Sequence, residues 1–156
     1  MYMLNKMDML KEIQEGRLDN VDMIDEMGRT PLTVASAFGN KEVVEMLLKR
    51  GFDVNKTDLH GRTALIEASY YGHHETVELL LDRGADINMF DTTGRTALIY
   101  ASVWGNKEVV ELLLNAGADA NIQGNDEYTA SMYAVKRGHK EVVKLLEEHI
   151  EKQKSK

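Results

Sequence analysis

Gly39, Gly72, Gly105 and Gly138 stand 33 residues apart, and the segments around them repeat in register. GRTPL begins at Gly28 and GRTAL at Gly61 and again at Gly94. KEVVEMLLKRG starts at Lys41, ETVELLLDRG at Glu75 and KEVVELLLNAG at Lys107. GFDVN, GADIN and GADAN follow from Gly51, Gly84 and Gly117. A fixed period of this length marks a stacked array of small units. One unit cannot bury its own apolar face, so the core must run continuously through neighbouring units.

Each unit reads as helix, turn, helix, loop. In the first, Thr30 precedes Pro31, Leu32, Val34 and Ala35. A threonine hydroxyl there can cap the free N–H groups of a helix, and proline fits the first helical position. Gly39 ends this short helix, where a left-handed residue is needed. Val43, Val44, Met46, Leu47 and Leu48 mark a second, more apolar helix. Lys49 and Arg50 suit its negative end, and Gly51 terminates it. Residues 52–60 form an extended loop, in which Asp53 and Asn55 can satisfy backbone groups.

The 33-residue period, G-R-T-P-L, the A-S-x-x-G turn, E-V-V-x-L-L-L and G-A-D-x-N resemble the ankyrin repeat throughout residues 25–123. The resemblance implies an all-α solenoid with short β-turn connections. It divides the chain into an N-terminal capping segment (1–24), three repeats (25–57, 58–90 and 91–123) and an ankyrin-like capping repeat (124–156). The last unit keeps Thr129, Ala134, Gly138 and KEVVKLL. It places Glu127 where a loop glycine is expected and Ser131 where leucine is expected, and its EEHIEKQKSK end is polar. At the start, MLKEIQEG (9–16) reads as a first helix and LDNVDMID (18–25) as a shortened second one. Six of the nine methionines fall in residues 1–27. Their flexibility suits them to covering the open face of the first repeat, with a sticky partner-binding patch as the alternative. The family's usual histidine after the T-P-L leucine is Thr33, Ile66, Ile99 and Met132 here, which points to apolar packing in place of a polar network.

Composition narrows the function. The chain has 156 residues, 43% of them hydrophobic and 29% charged, as in a folded domain. Its formal net charge of −7 repels phosphate backbones and anionic lipid, so neither nucleic acid nor membrane is expected as a partner. Without cysteine there is no disulfide, thiolate nucleophile or zinc–thiolate site, and an intracellular, cytoplasmic setting is the easier reading. By unit the charge runs −2, 0, −4, −2 and +1.

Chemistry is sparse. HETVE at His74 fails the H-E-x-x-H pattern because residue 78 is glutamate. His73 and His74 are adjacent and point apart on a helix. No phosphate-cradling loop or G-x-S-x-G elbow occurs. Ser36, Ser69 and Ser102 read as small residues that let helices approach. No cofactor, metal or catalytic residue is assigned.

The aromatics are better placed. Phe38, Tyr71 and Trp104 precede the turn glycines, and inner-helix faces join Tyr70 and Tyr71, Tyr100 and Trp104, and Tyr133 and Arg137. The resemblance implies that the first helix of each unit lines a concave surface. It also implies that partner contacts come from the residues before the turn glycine and from the loop tips. Phe90, Tyr128, Leu59, His60, Arg29, Arg62 and Arg95 sit at such loop positions. Eight of ten aromatics thereby fall on one expected surface. The expected function is a protein–protein interaction module, adaptor or occluding inhibitor, monomeric when free. A structural or engineered scaffold without a natural ligand is the alternative.

Overall fold

The computed structural model describes residues 5–17 and 23–156, and the described residues hold nine helices. These are α1 (Lys6–Gln14), α2 (Pro31–Phe38), α3 (Lys41–Lys49), α4 (Ala64–Tyr70), α5 (His74–Asp82), α6 (Ala97–Val103), α7 (Lys107–Asn115), α8 (Ala130–Arg137) and α9 (Lys140–Lys154). Helices α2, α4, α6 and α8 stack side by side in one row, and α3, α5, α7 and α9 in a second; α1 packs on α2. First-row helices are shorter and pack more densely on one another than those of the second row, and they are the row that the resemblance places on the inner, concave side. The expected all-α solenoid is therefore the observed architecture.

Local chemistry explains why the helices begin where they do. The hydroxyls of Thr30, Thr63, Thr96 and Thr129 each accept the N–H three residues on, at 3.1–3.3 Å. Each removes one orphan donor from the first turn of an inner helix. Buried leucines at 32, 65 and 98 meet Val44, Leu47, Val77, Leu80, Val110 and Leu113 of the outer row. Each such side chain contributes about 1.5–3 kcal/mol on burial, and the row is continuous from unit to unit.

The turn glycines have two roles, only one of which follows from the sequence. Gly39 lies at φ 70° as expected for a left-handed cap. A Cβ at Gly39 would also stand 2.4 Å from His73 Nδ1 of the next unit. His73 Nε2 is 2.9 Å from the Ala37 carbonyl at the end of α2, and His139 meets the Val103 carbonyl at the same distance. The glycine thus opens the space through which the neighbouring unit ties down a helix end. Loop tips are joined as well: the N–H groups of Leu59, Thr92 and Asn125 donate to the carbonyls of Met27, His60 and Thr93. Farther round, Asn55 and Asn88 accept from the N–H groups of Asp86 and Asp119.

The N-terminal segment differs from expectation. Asn5 caps Asp8, so α1 begins at Lys6, one turn earlier than residue 9. The second helix expected over 18–25 lies partly outside the described residues, and Met23–Asp25 are not helical. Met9 and Met23 are buried against the first unit, whereas Met7 is exposed on the far side of α1. Met1 and Met3 lie outside the described residues.

Candidate protein-interaction face

Side chains of the loops and inner helices build two different layers on the inner row. The deeper layer consists of Arg62, Tyr100, Arg95 and Tyr133. The Arg62 guanidinium lies 5.8 Å from the Tyr70 ring centre and 5.9 Å from that of Tyr100. Arg95 lies 5.9 Å from Tyr100 and 5.0 Å from Tyr133, and donates to the Tyr133 hydroxyl at 2.8 Å. Cations over aromatic faces attract the ring quadrupole, so arginine and tyrosine interleave from one unit to the next.

Carboxylates complete this layer. Asp91 Oδ1 accepts the backbone N–H groups of Thr93 and Arg95 at 2.9 and 3.1 Å, and Oδ2 accepts the Tyr100 hydroxyl. Asp25 and Asp58 hold the equivalent loops in the same way. Burial would raise the Asp91 carboxyl, but bonds from Thr93, Tyr100 and the backbone more than offset it and hold it below its usual range. Burial, reinforced by Asp91, pushes the Tyr100 phenol up. Glu67 is buried beside Arg62, 3.6 Å away. There burial prevails over the arginine, and the carboxyl lies above its usual range.

The shallower layer is open. Tyr71 is 55% exposed and Trp104 49% exposed. Tyr70, half-buried, joins them: its ring centre is 4.8 Å from Tyr71, 5.6 Å from Trp104 and 5.2 Å from Tyr100. The Arg137 guanidinium stands 5.9 Å from the Trp104 ring. Tyr70, Tyr71, Trp104 and Arg137 therefore form a contiguous patch drawn from α4, α6 and α8 and the turns that follow them.

Two expected surface residues are corrected. Tyr100 and Tyr133 are only 4% and 6% exposed. Both rings lie between inner helices under an arginine, and so support the patch from beneath. The loop arginines are engaged inside the chain too. Arg29 donates to Asp25 at 2.7 Å, Arg62 meets Glu67, and Arg95 meets Asp126 at 3.5 Å. Phe38, Phe90, Leu59 and His60 are exposed as expected. Among the described residues, no ring contact joins Phe38 or Phe90 to the patch: Phe38 lies under Lys6 at 5.2 Å. Tyr128 is half-buried against Tyr133, 5.2 Å between ring centres. The organising role of Asp25, Asp58 and Asp91 was missed, although an aspartate three residues before each G-R-T motif was there to signal it.

His73 is held by a backbone carbonyl, and no group of three potential metal ligands occurs among the described residues. No helix among them is long and apolar enough to cross a membrane.

A family model described as ankyrin repeats (3 copies) matches residues 2–91, 54–124 and 89–156. The chain belongs to the ankyrin-repeat family. It is also similar to an ankyrin repeat protein of Fowlpox virus (strain NVSL), 44% identical over 39 residues. That alignment covers 25% of this chain and 21% of the relative, so the chain matches about a fifth of the relative's length. Ankyrin repeats are generally protein–protein interaction modules and typically not enzymes.

Proposed function

We propose that this chain binds a partner protein through the inner-row patch of Tyr70, Tyr71, Trp104 and Arg137, acting as an adaptor or as an inhibitor that occludes its partner. One observation carries the reading: two large aromatics stand half in solvent on a layer that is already well packed beneath them. Leu65, Leu98 and the outer row fill the core, so neither ring is needed there. Contiguous exposed aromatics mark interaction sites, and Tyr, Trp and Arg dominate binding hot spots. Phe38, Phe90, Leu59, His60 and Tyr128 would extend the contact along the turns and loop tips. In this reading the chain is a monomer when free, works inside the cell and performs no chemistry.

The only tryptophan supplies the test. Trp104 fluorescence should be quenched readily by acrylamide in the free chain and protected when a captured partner is bound. Replacing Tyr71 and Trp104 by alanine should weaken partner binding by about 2 kcal/mol or more and move folding stability by only about 0.5 kcal/mol. A double variant that unfolds, or that retains full affinity, overturns the reading.

A further inference from the structure

Charge is divided between the two rows. Among the inner-row helices α2, α4, α6 and α8, the acidic and basic side chains are Glu67, Lys136 and Arg137. Glu67 is buried and faces Arg62. The two that reach solvent are both cations, and both lie over aromatic rings, Lys136 over Tyr128 at 5.2 Å and Arg137 over Trp104. Among the described residues neither forms an ion pair with a carboxylate, in contrast to Arg29, Arg62 and Arg95. The outer helices α5 and α7 carry acid instead, at Glu75, Glu78, Asp82, Glu108 and Glu111. Within a chain of net charge −7, the inner-row helices therefore present their solvent-facing charge as two cations at one end of the aromatic patch.

We infer that the partner segment seated on this patch is acidic at one end. Its apolar or aromatic side chain lies on Tyr71 and Trp104, and a carboxylate follows it toward α8 to meet Arg137 and Lys136. This rests on the proposed function and adds the partner's chemistry and its direction along the array. The physical reason is complementarity. A guanidinium held beside an indole face is a fixed, weakly hydrated donor whose fork matches a carboxylate. The acidic excess of α5 and α7 disfavours an anionic segment on the outer side of the middle units, so approach there is steered to the inner face. A nucleic-acid strand could also stack on the aromatics, but the whole chain's negative field opposes a continuous phosphate backbone.

The test is a random twelve-residue peptide library panned on the immobilised full chain. Enriched peptides should place Asp or Glu within a few residues of an aromatic or leucine. Raising the salt should weaken the binders, because exposed charge pairs are screened. The double variant Lys136→Glu with Arg137→Glu should lose the acidic bias and select basic residues in its place. Enrichment that depends on Tyr71 and Trp104 but shows no acidic bias overturns this inference alone. Enrichment insensitive to all four residues, or none at all, overturns the patch as well. Tight binding of oligo-dT at the same salt would replace the acidic segment by nucleic acid and defeat the inference.

Discussion

The third unit (91–123) and the last (124–156) share a period and a helix pair, but differ at several positions where a unit meets its C-terminal neighbour. Ile99 and Ser102 are buried under α8, while their counterparts Met132 and Val135 on α8 are 47% and 62% exposed. Leu98 becomes Ser131, Asp91 becomes Gly124 and the loop glycine Gly94 becomes Glu127. Glu127 lies at φ 67°, and among the described residues it is the one non-glycine with positive φ. The backbone of the array is thus kept even where the side chains that justified it are gone. The expected polar ending is found on α9, whereas α8 still presents an apolar face. Stacking therefore enforces the unit's shape, and side chains adjust to whether a neighbour follows.

We propose that the last unit caps the third, and removal of residues 124–156 tests this with the largest effect. It would uncover Ile99 and Ser102, and we expect aggregation or loss of cooperative unfolding in a thermal melt. A truncated chain that melts like the parent would show the two regions to be independent. A sharper version compares equivalent positions. Leu98→Ala should cost about 2–5 kcal/mol in denaturant unfolding. Ser131→Ala, at a half-buried site whose hydroxyl has no hydrogen-bond partner among the described residues, should change stability by about 0.5 kcal/mol or less. Equal losses at the two sites would erase the distinction.

The loop position comes next in size. Gly94 has φ 77°, and a Cβ there would lie 2.6 Å from Asn125 Oδ1 and 2.9 Å from its backbone nitrogen. Gly94→Ala should lower stability by about 1–2 kcal/mol. Glu127→Gly should raise it by about 0.5 kcal/mol, because relief of the left-handed backbone exceeds the added freedom of the unfolded chain. Opposite signs for the two substitutions are the expected result.

The smallest effect contrasts two carboxylates of the inner row by pH. Glu67 is raised by burial, so the folded chain holds its proton where the unfolded chain has released it. Stability from this group falls as pH rises from the ordinary carboxylate range through the raised value. Asp91 is lowered in the folded chain, so its contribution is present above the ordinary range and lost as pH falls below it. Glu67→Gln should remove the first slope and preserve the second in melts recorded from pH 3 to about pH 8. A variant that loses both slopes would mean that Glu67 and Asp91 titrate as one coupled group.

The sequence by itself determined the repeat, the helix pairs, the capping threonines and the left-handed turns. Each depends on residues a few positions apart: Thr30 and Thr33, Gly39 and the turn before it, Glu127 where glycine was due. Local spacing is what a sequence records directly. The exposed positions of Phe38, Tyr71 and Trp104 were legible for the same reason, since each stands immediately before its turn glycine. Only the tertiary structure decided which aromatics face solvent and which lie beneath. Tyr100 and Trp104 occupy one short segment, yet Arg62, Arg95 and Asp91 close over Tyr100 from neighbouring units and loops and leave Trp104 open. His73 reaching into the space of Gly39 was equally hidden, because its two partners are 34 residues apart in the sequence and meet only when units stack.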